Sequence, residues 1–218
     1  MKSSKLLCVL LAVLTGLVVL TASVAVPILC RPFYYAHIGP LKLKERTGLT
    51  EAEIKTAFDE MLDYCLGAEE FSTGVLAWSE EGKAHFTDVR GLFLLDLRVL
   101  GAALCLLAAV LLYARFAGRA PARPLGRGFG FWAGAGLGGG FLLVGALAAL
   151  DFGRAFVLFH ALFFPGKDNW MFDPWEDQII SILPQEFFRN CALLILALLT
   201  AGCAALIVLD LRRGRREG

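Results

Sequence analysis

Four apolar runs constrain the fold of this chain more than any other feature of its sequence. They cover residues 6–29, 92–113, 129–150 and 191–209. Each has about the 20 residues that an α-helix needs to cross roughly 30 Å of hydrocarbon. Hydrophobic residues make up 57% of the chain, and the mean hydropathy of +0.65 is typical of membrane proteins. We therefore predict a mainly α-helical membrane protein, a bundle of four transmembrane helices.

The first run also has features of a cleavable signal peptide. Lys2 and Lys5 precede it, and SVA at 23–25 resembles a cleavage site. Its apolar stretch is longer than the roughly 7 to 15 residues of a signal-peptide core. We interpret it as a retained helix, and cleavage is the alternative.

Basic residues predict the orientation of the chain in the membrane. The link 115–127 between the second and third runs contains arginines and no acidic residue, and Arg212, Arg213, Arg215 and Arg216 follow the fourth run. By the positive-inside rule, this link and both termini are predicted to be cytoplasmic in a multi-pass membrane protein. The predicted divisions are a helix at 1–29, an outer loop at 30–90, two helices at 91–150, a second outer loop at 151–189, and a helix with a basic tail at 190–218.

The first outer loop has the pattern of a small extracytoplasmic α+β lid. Thr50 and Glu53 have the spacing of a capping box, and apolar residues then recur at helical spacing, which predicts a helix over 51–66 that stops at Gly67. The segment 73–89 predicts two short strands around a turn at SEEG, with Thr87 or Asp88 capping the second transmembrane helix.

The second outer loop has a helix-start signature. Asp173 is followed by Pro174, with Glu176 and Asp177 behind them near the positive end of the helix dipole. The apolar side chains that follow predict one face of a helix that lies on the membrane surface: Trp175, Ile179, Ile180 and Leu183.

The glycine-rich stretch at 126–140 contains a formal G-x-G-x-x-G at Gly134, Gly136 and Gly139. A nucleotide site needs a preceding strand in a soluble βαβ unit, whereas these glycines lie within an apolar run. Two series spaced by four, Gly130/134/138 and Gly136/140, instead predict a flat face for close helix packing. No basic, aromatic-interleaved surface indicates nucleic acid as a partner.

None of the six cysteines forms a C-x-x-C pair. Cys30 and Cys65 fall in the same outer loop, and a disulfide between them is an open alternative if that loop faces an oxidising compartment.

The three histidines are His37, His85 and His160. His37 is expected to pack or to form a hydrogen bond. His85 stands just before the second run and His160 just after the third, both on the predicted outer face, and they are the candidate catalytic residues. Haem ligation and a zinc site with Asp88 are alternatives, although His85 lies on a predicted strand and no zinc-site spacing is present. Since no G-x-S-x-G elbow occurs, we favour general acid–base chemistry, without a cofactor or metal and without a covalent enzyme intermediate.

Five residues near the histidines are the candidates for substrate binding. Arg90, Arg98 and Arg154 predict a basic rim at the outer leaflet, suited to a lipid phosphate or an ester oxygen. The alternative for Arg98 is that its side chain only snorkels to the membrane interface. Asp88 and Trp170 complete the set.

Two motifs carry a resemblance to a known family. HFTDVRGLF stands at 85–93, before the second run, and FHALFFPGKDNWMFDPWEDQIISILPQEFF stands at 159–188, between the third and fourth. In combination they resemble the bacterial integral membrane family that includes the lipoprotein intramolecular transacylase. The likeness extends from the first run to the fourth and includes the capped helix at 51–66.

This resemblance implies a bacterial plasma-membrane enzyme that acts on diacylated lipoproteins among membrane lipids. It would move the acyl chain from the sn-2 ester of the S-diacylglyceryl group to the α-amine of the same N-terminal cysteine. His85 and His160 match the catalytic pair of the family. Two other interpretations stay open: a non-enzymatic membrane protein that binds lipoproteins or lipids, and a haem- or metal-binding protein that uses the same histidines.

Overall fold

The computed structural model describes residues 2–217, apart from the side chains of Lys2, Ala149, Arg216 and Glu217. The basic side chains of Lys2 and Arg216, used above, therefore lie outside the described part. The elements in chain order are β1 Lys2–Ser4, α1 Lys5–Leu29, α2 Arg31–Tyr35, α3 Leu43–Thr47, α4 Glu51–Leu66, α5 Glu80–Phe116, β2 Arg119–Pro121, α6 Phe129–Leu150, α7 Phe152–Phe163 and α8 Gln185–Glu217, with 3₁₀ turns at Pro124–Gly126 and Gln178–Ser181.

Four of the described helices are long and apolar enough to cross a membrane: α1, α5, α6 and α8. They contain the four runs found in the sequence, so the prediction of four membrane-spanning helices is confirmed. Helix α5 has 37 residues, and at 1.5 Å per residue it is about 55 Å long, well beyond the thickness of the hydrocarbon. Its first turns, before residue 92, are polar and precede the apolar run.

The chain divides into two compact units. We call one the span unit, the described parts of Met1–Ala25, Asp96–Leu147 and Ile195–Gly218, and the other the loop unit, Val26–Leu95 and Ala148–Leu194.

Within the span unit, one glycine face of α6 packs closely against α8. A Cβ at Gly134 would lie 2.6 Å from the carbonyl oxygen of Cys203, and one at Gly138 would lie 3.2 Å from the Cβ of the same cysteine. Only glycine lets the two backbones approach this closely. The predicted packing face is therefore confirmed for the first glycine series. At Gly136 and Gly140 a Cβ would meet nothing within 4 Å, so the second series does not pack in this way.

A buried carboxylate and a short sheet order the basic link of the span unit. Asp210 is buried and accepts hydrogen bonds from the backbone N–H of Gly128 at 3.0 Å and from Arg123 at 3.4 Å. Strands β1 and β2 pair in parallel, with Lys2 opposite Arg119. The sequence pattern did not predict this two-stranded sheet.

Helix α4 of the loop unit forms where it was predicted. The Thr50 hydroxyl accepts from the Glu53 backbone N–H at 3.3 Å, and the Glu53 carboxylate accepts from the Thr50 N–H at 2.8 Å, which completes the capping box. Its buried face includes Phe58, which stacks on Tyr34 with ring centroids 3.7 Å apart. The Tyr34 hydroxyl donates to the carbonyl of Ile182 at 2.9 Å, so three separate segments meet in this core.

The two predicted strands within 73–89 are wrong, because α5 begins at Glu80 and continues through this segment. Ser79 precedes the helix and its hydroxyl accepts from the Gly82 N–H at 2.9 Å, in the manner of an N-cap. Glu80 and Glu81 lie in the first turn of α5, where their negative charges interact favourably with the positive end of the helix dipole. The described part of this loop therefore has helices and irregular segments but no strand, and His85 lies on a helix.

Thr87 and Asp88, expected to cap the second transmembrane helix, are consequently interior residues of α5. The Thr87 hydroxyl instead forms a hydrogen bond with the Tyr64 hydroxyl, 2.8 Å away, which joins α5 to α4.

The predicted surface helix after Asp173 is also wrong, since only the 3₁₀ turn Gln178–Ser181 forms there. The Asp173 carboxylate accepts from the Trp175 N–H in a local turn. The Gln178 N–H donates to the carbonyl of Ala77 at 3.0 Å, so this N–H does not donate to a carbonyl one turn earlier as it would in a helix. The amphipathic helix of this region is α7, capped by Asp151, whose carboxylate accepts from the Arg154 N–H at 2.9 Å.

All six cysteines are free thiols. Cys65 is buried, with its sulfur 3.9 Å from that of Met61, whereas Cys30 is exposed. The open alternative of a disulfide between them is not realised in this structure.

The glycine face of α6 leads to a testable prediction. Replacing Gly134 with alanine should lower the free energy of unfolding by about 1–3 kcal/mol, because the new methyl group meets a backbone oxygen that cannot move aside. Gly136→Ala is the matched control, and it should be neutral or slightly stabilising because a Cβ there meets nothing. Thermal unfolding of the two variants in detergent measures the difference, and equal stability would contradict the packing.

Candidate active site

His85 lies in the second turn of α5, six residues after Ser79, in the polar part of the helix that precedes the apolar run. Its side chain is 5% exposed. The rings of Phe164 and Phe172 stand edge-on to it, with centroids 5.0 and 5.4 Å away. The start of α5 and these aromatic neighbours therefore fix the imidazole in an apolar cage.

His160 lies in the last turn of α7 and is 6% exposed. Its Nδ1 is 2.8 Å from the carbonyl oxygen of Phe156, one turn earlier. A carbonyl only accepts, so Nδ1 carries the hydrogen and Nε2 keeps a free lone pair. Trp170 stacks on the ring, with centroids 4.4 Å apart and planes 28° apart. This geometry prepares His160 to accept a proton at Nε2.

The structure brings the two histidines together. Their ring centroids are 5.8 Å apart and their planes differ by 29°. Since 75 residues separate them in sequence, only the fold of the loop unit places them side by side. Two buried imidazoles at this distance can both reach groups of one bound molecule and move protons to and from it.

A polar network lies next to His85. Asp88, one turn further along α5, accepts from Lys167 at 2.5 Å and from the Asn169 side-chain amide at 3.4 Å. The sequence analysis did not single out Lys167 or Asn169. The only signal was their position between two motif residues, His160 and Trp170.

Burial lowers the pKa of both imidazoles. For His85 burial is the largest cause and the neighbouring His160 adds to it, whereas Asp88 and Asn169 act in the opposite direction, and the pKa is about 4. For His160 burial lowers the pKa and the hydrogen bond with the Phe156 carbonyl opposes the shift. Both rings are therefore neutral near pH 7, the form in which an imidazole can accept a proton.

The described residues contain no group of three or more His, Cys, Asp or Glu that could hold a metal ion. His85 and His160 are two such residues, and both carboxylate oxygens of the nearby Asp88 are directed to Lys167 and Asn169.

Arg90, on α5, forms hydrogen bonds with the backbone at the C-terminal end of α4. Its guanidinium donates to the carbonyls of Gly67 and Ala68 and lies over the ring of Tyr64, 5.0 Å from the centroid. These two carbonyls directly follow Leu66, the last residue of α4, and Arg90 is their hydrogen-bond donor.

The other substrate-binding candidates are distributed unevenly. Trp170 is in contact with His160, as described above. The Arg154 side chain is 84% exposed and lies 3.7 Å from the carboxylate of Asp151. Arg98 is exposed and belongs to the span unit. His37 is held by the Phe33 carbonyl at 2.7 Å and by aromatic packing, as expected of a structural histidine.

Removing the Arg90 side chain should destabilise the loop unit. Arg90→Ala leaves two carbonyls at the end of α4 without their charged donor, and a loss of about 1 kcal/mol is expected at this half-exposed site. Arg154→Ala is the control, because its ion pair is exposed and contributes little. Unchanged thermal unfolding of Arg90→Ala would argue against the capping role.

The fold and the motifs agree with known proteins. The model of the family "Lipoprotein intramolecular transacylase Lit" matches residues 9–188. A search of the curated proteins finds no significant match. The in meso structure of the membrane integral lipoprotein intramolecular transacylase from Bacillus cereus is 24% identical, with a TM-score of 0.85 over 98% of this chain and 96% of that one. A variant of that protein, with one histidine replaced by arginine, is 23% identical with a TM-score of 0.78 over 98% of this chain and 94% of that one. These likenesses show the fold, and the family model covers most of the sequence. The chain belongs to the lipoprotein intramolecular transacylase family of membrane acyltransferases.

Proposed function

We propose that this protein moves the sn-2 acyl chain of an S-diacylglyceryl-cysteine to the α-amine of the same cysteine. The product is an N-acyl, S-monoacylglyceryl lipoprotein, and the substrates are diacylated bacterial lipoproteins in the plasma membrane. Membership of the family supports the class of reaction. The observation that carries a histidine-based mechanism is the pair of buried, neutral imidazoles 5.8 Å apart.

Proton balance explains why two neutral histidines are useful. The α-ammonium of the substrate, with an unperturbed pKa of about 7.7–8.0, is mostly protonated at neutral pH. It must lose one proton to become a nucleophile and a second when it has attacked the ester carbonyl. One imidazole accepts the first proton and releases it to solvent. The other accepts the second and delivers it to the glyceryl oxygen as the ester C–O bond breaks and the amide C–N bond forms.

The surroundings favour transfer over hydrolysis. The amine and the ester belong to one molecule, so holding the head group folded gives the reaction a large effective concentration. The aromatic rings of Phe164, Phe172 and Trp170 around the histidines exclude water that would otherwise attack the ester. Trp170 and Asp88 lie at this site, and we retain Arg90, Arg98 and Arg154 as candidates to bind phosphate or ester oxygens.

Helix α7 supports a site at the membrane surface. Its buried face presents His160, while Leu158 and Leu162 on another face are 65% and 73% exposed. Exposed apolar side chains of this size are stabilised when they contact lipid. Together with the basic link and tail, this supports our proposal that the termini are cytoplasmic and that the site lies at the outer leaflet.

Replacing either histidine of the pair should abolish transfer. We expect His85→Ala and His160→Ala to lower the rate at least about 10²-fold, since each removes a proton acceptor. His37→Ala is the matched control, because His37 makes the same backbone hydrogen bond but has no histidine partner. Mass spectrometry of the N-terminal peptide of a model lipoprotein, incubated with each variant in membranes, detects the moved acyl chain. Full transfer by either variant of the pair would exclude that residue from the chemistry.

Acidification should weaken the folded state through these histidines. Their folded pKa values lie below the ordinary value of about 6.5, so the unfolded chain binds protons first as the pH falls from 7 towards 4. Stability present above pH 6.5 is therefore lost in this range. Thermal unfolding at pH 7 and pH 5 should show a smaller decrease for His85→Gln than for the wild type, and equal decreases would contradict the pKa of His85.

A further inference from the structure

Two buried polar atoms beside the histidine pair have no hydrogen-bond partner. One is Nδ1 of His85, and the other is the side-chain oxygen of Asn169. A buried imidazole nitrogen and a buried amide oxygen are a donor and an acceptor of matching chemistry, and buried polar atoms are rarely left unpaired. The influence of Asn169 on His85 is that of a hydrogen-bond acceptor, which raises the affinity of the imidazole for a proton.

The orientation of the Asn169 amide is fixed from its other side. Its nitrogen donates to one oxygen of Asp88, and Lys167 donates to the other oxygen of the same carboxylate. A carboxylate cannot donate, so the amide must present its NH₂ group to Asp88 and its oxygen elsewhere. Asp88 lies one turn after His85 on α5, and thus both partners of Asn169 are on one rigid helix.

We propose that Asn169, held by Asp88 and Lys167, is a positioning residue that accepts the Nδ1 hydrogen of His85. This contact leaves the lone pair of His85 on Nε2, the same tautomer that the Phe156 carbonyl gives to His160. Both imidazoles are then neutral proton acceptors at the same ring position. The inference rests on the proposed function of the pair, and it assigns to Asn169 and Lys167 a role that the motifs alone do not give.

An amide suits this position better than a carboxylate. A carboxylate in direct contact with Nδ1 would favour the imidazolium and keep the ring protonated. The neutral oxygen of Asn169 selects the tautomer with a smaller effect, and the charge of Asp88 acts from one residue further away, opposed by Lys167. The other titratable group that faces His85 is His160, from α7.

The tautomer is tested directly by ¹⁵N NMR of the histidine-labelled full-length protein in detergent micelles. We expect His85 to show the Nδ1–H tautomer at pH 7, with His37 as an internal reference for a ring bonded to a backbone carbonyl. In Asn169→Ala the titration midpoint of His85 should move to lower pH and transacylation should slow about 10–100-fold, the usual cost of losing a group that orients a reacting imidazole. In Asn169→Asp the midpoint should move to higher pH, because the acceptor is then charged. Opposite shifts from one position are not expected of a merely structural residue.

Asp168→Asn, at the exposed neighbouring position, is the matched control and should change neither the titration nor the rate. The Nε2–H tautomer in the wild type, or an unchanged titration in both Asn169 variants, would overturn the inference. If one variant fails to fold, the wild-type tautomer and the other variant still decide. Full transfer by His85→Ala would instead overturn the proposed function, and it would leave the tautomer measurement intact.

Discussion

The contact between Asp177 and Ser79 sets the arrangement of the loop unit. The buried carboxylate of Asp177 accepts from the Ser79 backbone N–H and from its hydroxyl, and the same hydroxyl caps the first turn of α5. A Cβ at Gly82 would lie 2.0 Å from this carboxylate, so glycine is required for the approach. The register of α5, and with it the position of His85, depends on where this cap begins the helix. The interaction joins the start of the helix to a segment almost 100 residues later in the chain.

The aromatic rings around the two histidines, and the small number of polar groups near them, determine the electrostatics of the site. Burial among the rings around His85 and His160 is the largest cause that lowers the pKa of each imidazole. The charged groups that are present, Asp88 and Lys167, form a pair of their own at the edge. This pair is partly exposed to solvent, and through Asp88 it holds the side-chain NH₂ group of the neutral Asn169 amide. In our proposal, the group that orients the His85 ring is therefore a neutral amide, and the charged groups lie beyond it.

The sequence predicts the parts of this fold that depend on local composition. The four apolar runs and the capping box each depend on residues that are close in sequence, and the structure has both features at the predicted positions. The two strands and the surface helix were wrong because residues distant in sequence decide those segments: Asp177 and Gln178 pair with Ser79 and Ala77. Within the site, His85 and His160 carried a recognisable motif. Lys167 and Asn169 had no signal beyond their position between His160 and Trp170, since each contacts Asp88 across about 80 residues.

The unbroken course of α5 has a consequence for the lipid environment. The helix carries His85 and the second apolar run without an intervening loop, and seven residues separate His85 from Leu92, a rise of about 10 Å. If the hydrocarbon begins at the apolar run, as we propose, the height of this histidine above it is set by helix geometry rather than by a hinge. A bilayer that differs in thickness must tilt the helix or deform around it, and under the proposed function either response changes the depth at which the histidine would meet an ester. The thickness of the host membrane would thereby affect the position of the site, in addition to the residues that form it.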